Sequence, residues 1–177
     1  MYNSAMELPT HKRLLFLRSR GFRPQAVGCL IQNYRVLMVY KNEHNLWQLP
    51  QGGIEFRETA ERGLRREMME ELGKYFARGI GAVTLIGENE VAFPPGKQGR
   101  GMLKMSRRGK RPVIGKHYFF FAAEVRAVIC VEDTEFDDIR FVSFSEALRL
   151  AATIYQKGKK RITEQALTRL NERGLLR

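Results

Sequence analysis

Three glutamates, Glu67, Glu70 and Glu71, stand at i, i+3 and i+4 in a stretch that reads as a helix. A helix turns about 100° per residue, so all three fall within an arc of about 100° on one face. Like charges at these spacings repel by about 0.2–0.5 kcal/mol per pair on an exposed helix. A divalent cation would remove that repulsion, and carboxylate oxygens are the ligands Mg²⁺ prefers. The helix alone leaves a second reading open, a solvated charged face, because Glu58→Arg62 and Glu61→Arg65 are good i, i+4 pairs of that kind.

The surrounding residues add a pattern: Gly52, five residues, Glu58, seven residues, Arg66-Glu67-Met68, one residue, Glu70-Glu71, one residue, Gly73. It resembles the Nudix box, the signature of the Nudix hydrolase superfamily, here residues 52–74. One position departs. The last is usually aliphatic and here is Lys74, at the helix end, where it bears on packing more than on catalysis. The resemblance implies an α/β fold of Nudix type: an α/β/α sandwich with a mixed sheet and a central catalytic loop-helix-loop. It also implies hydrolysis of a pyrophosphate linkage in a nucleoside-diphosphate-linked substrate, dependent on Mg²⁺ with Mn²⁺ as a substitute. Glu67, Glu70 and Glu71 are then the expected metal ligands, joined by a backbone carbonyl near Gln51 or Gly52. Glu58 and Arg66 would tie the loop to the helix. Gly52 and Gly53 would let the backbone approach a phosphate or metal with no side chain in the way. The cation would polarise the phosphorus and acidify a water, whose proton a carboxylate takes.

Residues outside the box narrow the family. Gly21-Phe22-Arg23-Pro24, the run Trp47–Ile54, Glu135-Phe136-Asp137 and Arg140-Phe141-Val142-Ser143 together resemble the bacterial RNA 5′-pyrophosphohydrolases and the closely similar diadenosine polyphosphate hydrolases. On that resemblance Glu135 is a metal ligand and, with Glu70 and Glu71, a candidate catalytic carboxylate; the bland reading is an exposed loop acid beside Asp133, Asp137 and Asp138. Arg23 matches an arginine that contacts 5′ phosphates, against the alternative of a surface residue before Pro24. Gly52, Gly53 and Lys116 complete the expected substrate contacts, and Trp47 reads as packing. The expected reaction removes pyrophosphate from 5′-triphosphorylated RNA, with dinucleoside polyphosphate hydrolysis as the alternative. Nucleotide sugars, nucleoside triphosphates and a non-catalytic RNA- or nucleotide-binding role rank lower, the last because every box carboxylate is present.

The elements that must position these residues follow from periodicity. Ala26–Ile31 and Val36–Tyr40 flank Gln32-Asn33-Tyr34 as a hairpin. Trp47–Gly53, broken by Pro50 and a glycine pair, reads as a loop. Arg57–Leu72 predicts a helix with Leu64, Met68 and Leu72 at i, i+4 and i+8, stopped by Gly73. Further strands are expected at Ala82–Gly87, His117–Val125 and Ile139–Val142, with helices at Phe144–Thr153 and Arg161–Arg173. Residues 1–22 read as a basic arm or short helix, and 23–177 as one domain.

Thirty-one Lys and Arg against nineteen Asp and Glu give a formal charge of +12, a surface that attracts polyanions. Eight of these cations, Lys97, Arg100, Lys104, Arg107, Arg108, Lys110, Arg111 and Lys116, lie in the acid-free run Pro94–Lys116. Such a strip could hold an RNA backbone downstream of the triphosphate or be a loop with nonspecific affinity. Phe93 and Met102 provide little aromatic interleaving there. Cys29 and Cys130 show no ligand spacing, and the three histidines are scattered. Reduced thiols and the lack of a long apolar run predict a cytoplasmic, membrane-free monomer.

Overall fold

The computed structural model describes residues 6–104 and 109–177. Helix α1 (His11–Ser19) opens the fold, with the Thr10 hydroxyl accepting from the Arg13 amide at 3.2 Å as its N-cap. Of the two readings of the N-terminal segment the helix is the one realised, and its Leu14 and Leu17 are almost completely buried. Strands β1 (Phe22–Gln32) and β2 (Arg35–Lys41) form the expected hairpin. Asn33 and Tyr34, at φ 51° and 61°, make its two-residue turn, the left-handed pair whose twist matches flanking strands.

Beyond the turn β1 and β2 separate, and two short strands enter the gap. The segment Trp47–Gly53, read from sequence as a loop, carries β3 (Leu46–Gln48) and β4 (Gln51–Gly53). β3 pairs with β2 while β4 pairs with β1, and Pro50 breaks the chain between them. The Pro50 carbonyl accepts from the Gly28 amide at 2.8 Å, so the break is itself pinned to β1.

Helix α2 runs from Ala60 to Leu72, three residues shorter at its start than Arg57–Leu72. Thr59 takes the extended cap conformation instead, and Arg57 sits at φ 76°. Gly73, at φ 86°, ends α2, and a short α3 (Lys74–Arg78) follows. Lys74 is exposed at the start of α3, and the apolar side chain entering the core is Phe76.

Strand β5 (Thr84–Ala92) extends past the expected Ala82–Gly87. The hairpin of β6 (Met102–Lys104) and β7 (Lys110–Pro112) rises from the basic segment, and β8 (Gly115–Glu124) returns to the sheet. Arg107 and Arg108 of the basic strip lie outside the described residues. β9 (Asp138–Val142), α4 (Phe144–Ala152) and α5 (Lys157–Glu172) complete the chain.

The main sheet is mixed. β8 lies parallel to β1 over ten register positions, from Phe22↔Gly115 to Ile31↔Glu124, and the other pairings are antiparallel. Strand periodicity sends Ala26, Leu30, Phe119 and Phe121 to a core shared with α1, α2 and α3. Val27, Cys29, Ile31, Tyr118 and Phe120 go to a second core under α4 and α5. This is the α/β/α sandwich expected from sequence. Among the described residues no helix is long and apolar enough to cross a membrane. Leu17 is 1% exposed within the first core; Leu17→Ala should therefore cost about 2–5 kcal/mol in urea denaturation, and a loss under about 0.5 kcal/mol would place α1 outside the cooperative unit.

Candidate functional site

The site forms where α2 crosses β4. Leu64, Met68 and Leu72 press one face of α2 into the core, which brings the flanking Glu67 and Glu71 against Gln51 and Gly52. The approach is close: a Cβ on Gly52 would occupy the space of the Glu67 carboxylate. Only glycine at 52 lets that carboxylate lie against the backbone.

Arg66 fixes the loop that joins β4 to α2. Its Nε donates to Glu58 Oε1 at 2.8 Å and its Nη2 to the Gly53 carbonyl at 2.7 Å and to Glu58 Oε2 at 3.0 Å. Glu58 also accepts from the Glu55 amide at 2.8 Å. The Arg66 guanidinium holds the Glu58 carboxyl below the usual carboxylate range. Arg66 Nη1 reaches Glu67 at 2.8 Å and Glu70 at 3.0 Å.

The carboxylates are not equivalent. Glu71 accepts a hydrogen bond from the Gln51 amide at 3.0 Å, and its carboxyl is largely shut off from water. That desolvation pushes its pKa up to about 8; the Gln51 bond opposes the rise, and the negative charges of Glu67 and Glu135 add to it. Glu135 arrives from the loop before β9, its amide bonded to the Glu71 carbonyl at 3.0 Å and its carboxylate 3.3 Å from Lys41 Nζ. The fold thus brings Glu135, distant in sequence, to Glu67 and Glu71 of α2. Glu70 shares their helix face but is more exposed and turned to Arg66.

Cations ring this group. Arg23 and Lys116 are register partners on β1 and β8. The Arg23 guanidinium rests on Gly53, 3.2 Å from where a Cβ there would lie. Burial, and after it the Arg23 charge, lowers the pKa of Lys116. Sequence reasoning missed three members. They are Lys41, which contacts Glu135; Lys159 of α5; and Gln48, whose Oε1 accepts from Lys159 at 2.6 Å and from the Gln51 side-chain amide at 3.4 Å. Burial, with Lys116 next, lowers the pKa of Lys159, and the Glu71 charge opposes this. Lys159 gives no signal in sequence: it precedes Arg161, where the last helix is expected to begin, whereas α5 starts at Lys157.

The donor set suits a hard divalent cation: all oxygens, with like charges crowded around a desolvated carboxyl. Among the described residues no three acidic, histidine or cysteine side chains already converge on one metal position. Arg66 holds two of the glutamates, so their coordination would require exchanging an ion pair.

Comparison with known proteins gives a consistent family. The model described as the NUDIX domain matches residues 22–165. An RNA pyrophosphohydrolase of Marinomonas sp. (strain MWYL1) is 30% identical over 171 residues, 86% of this chain and 97% of that protein. One from Acinetobacter baylyi is 51% identical over 57 residues, 31% of this chain and 34% of that protein. A NUDIX hydrolase from Nitrosomonas europaea superposes with a TM-score of 0.61 at 13% identity, over 85% of this chain and 89% of that one. The E. coli dihydroneopterin triphosphate pyrophosphohydrolase does so with 0.56 at 18% identity, over 83% and 97%. At these identities the two structures are alike in fold.

The raised Glu71 pKa sets a pH dependence. In the unfolded chain this carboxyl ionises in the usual range, near 4.5, and in the folded protein only near 8. The folded state therefore binds the extra proton between these values, and stability falls as pH rises through that window. Metal-free protein should lose on the order of 2–4 kcal/mol through this group between pH 4.5 and 8. Thermal melts across that range should show the slope, and Glu71→Gln should flatten it; an unchanged slope in the variant would assign the effect elsewhere.

Proposed function

Because the chain belongs to the Nudix family of hydrolases, we propose that it removes pyrophosphate from the 5′-triphosphorylated ends of RNA, leaving a 5′ monophosphate. The observation that carries the catalytic part is Glu71, a desolvated carboxyl pushed up to about 8 beside Glu67 and Glu135. Ionising it in that setting calls for a cation. The RNA part is supported by similarity, over 86% of this chain, to a protein named for that activity and by the cationic ring around the carboxylates.

Glu67, Glu70 and Glu71 would hold Mg²⁺, with Glu135 within reach of the same centre. The ion supplies charge neutralisation on the phosphates, polarisation of the phosphorus and a more acidic water. The chain's own groups do the rest. Arg23 and Lys116, adjacent across β1 and β8, bind phosphate oxygens and orient the anhydride for attack. Their charges offset the negative charge that grows as the phosphorus–oxygen bond breaks. Glu135, on a loop and contacted by Lys41, takes the proton from the attacking water. The Gln51 amide holds Glu71 against β4. The Glu58–Arg66 pair fixes the loop that carries Gly52 and Gly53.

The decisive assay is Mg²⁺-dependent release of pyrophosphate from a 5′-triphosphorylated RNA oligonucleotide, with diadenosine tetraphosphate in parallel. Conversion of the RNA is expected, with Mn²⁺ replacing Mg²⁺, and Glu71→Gln lowering kcat by about 10²–10⁴. Mg²⁺ should also raise the melting temperature of the wild type more at pH 8 than at pH 5.5. Turnover of the dinucleotide alone would refute the RNA reading, and inactivity on both would refute catalysis on either class.

A further inference from the structure

A cleft of about 480 Å³ opens beside the box loop, walled by α1, the Ile54–Arg57 turn and the β6–β7 hairpin. Its floor is apolar, made by the buried Ile54, Leu103 and Val113. Its rim is cationic. Arg18 spans the two walls, donating to the carbonyls of Ile54 and Lys104. Burial and the charge of Arg23 both lower its pKa. Arg23 is shared between this cleft and the catalytic group, since its guanidinium rests on Gly53.

Phe56 projects into the cleft between two more cations. The Arg57 guanidinium lies 5.5 Å from the ring centroid and the Lys104 ammonium 5.8 Å. Arg57 adopts φ 76°, a left-handed conformation uncommon for a side chain of its size. Among the described residues no carboxylate pairs with Arg23, Arg57 or Lys104. Glu55 is the one acidic residue in the lining. A residue in the left-handed region, a partly exposed aromatic ring and cations without a carboxylate partner thus converge at the mouth of the candidate site.

We propose that this cleft holds the RNA strand that follows the triphosphate end, one base stacking on Phe56 while Arg57 and Lys104 contact the flanking phosphates. The chemistry fits a nucleotide on three counts. The apolar floor and ring suit a base, the cations suit a phosphodiester, and the volume lies in the range of small-ligand sites. Entry of a base displaces a cation from the ring face and frees it for a phosphate. The aromatic partner that the basic strip lacks in sequence is thus supplied by the box loop, brought to Lys104 by the fold. The site rests on the RNA reading of the substrate, but its recognition elements lie outside the carboxylate group and can be tested without turnover.

The test is binding of a 3′-labelled, 5′-hydroxyl single-stranded RNA of about ten nucleotides to the full chain without metal, followed by fluorescence anisotropy across a salt series. Phe56→Leu is expected to weaken binding by about tenfold. Arg57→Gly, which relieves the left-handed strain, and Lys104→Ala should each reduce the log–log salt slope by about 0.7. Melting temperatures of the three variants establish that they fold. In turnover, all three should lose kcat/KM on a long 5′-triphosphorylated RNA and keep it on a 5′-triphosphorylated dinucleotide. Variants that bind the 5′-hydroxyl RNA like the wild type, with an unchanged slope, overturn the proposal. If the wild type binds this RNA through the cleft yet releases no pyrophosphate from triphosphorylated RNA, the substrate reading falls and the cleft stands.

Discussion

The guanidinium of Arg66 distributes its donors among Glu58, the Gly53 carbonyl, Glu67 and Glu70, and the geometry of the carboxylate group follows from that arrangement. The planar fork fastens the loop after β4 to the outer face of α2 from both sides. It also offsets the repulsion between glutamates that the helix places a turn apart. A lysine could offer one point charge but not the fork, so it could not hold Glu58 and Gly53 in register together. With the partners mostly covered, removing the guanidinium would leave partly buried carboxylates unpaired, which typically costs about 3 kcal/mol or more.

Arg66 can act this way because of what β1 and β2 do behind it. The hairpin is joined at its turn and open at its far end, and β3, Pro50 and β4 fill the opening. A segment that would otherwise wander over the surface is hydrogen-bonded into the sheet and delivered under α2. On the other edge of β2, β9 and its preceding loop bring Glu135 alongside Glu71. The negative centre is therefore held by backbone bonds from three separate stretches of chain, and the surrounding lysines and Arg23 reach it from strands and a helix that are otherwise occupied in packing.

Legibility from the sequence tracked the range of the forces involved. α2, its glutamates and its buried stripe were readable because helical periodicity is local, although Thr59 moved the start to Ala60 by capping there. The hairpin was readable from two β-branched runs and a turn. The strands at Leu46–Gln48 and Gln51–Gly53 were not, because three residues carry no period and Pro50 reads as a breaker. Residues 1–22 read as an arm or a short helix, and nothing local said that Leu14 and Leu17 would enter the core. Lys159 and Gln48 meet across 111 residues of chain, a contact that only the finished sheet creates. Phe56 and Lys104 likewise become neighbours through tertiary packing alone.

The parallel pairing of β1 with β8 carries a consequence for how the molecule comes into being. Phe22 meets Gly115 and Ile31 meets Glu124, so this pairing closes a loop that contains α2 and every carboxylate of the box. Such long closures are paid for in chain entropy before any contact returns free energy, and they slow folding. During synthesis Glu67, Glu70 and Glu71 leave the ribosome well before β8 exists. Until that strand docks, the glutamates repel one another on a helix with no second wall. The full carboxylate group is therefore assembled with completion of the sheet rather than with formation of the helix that bears the signature.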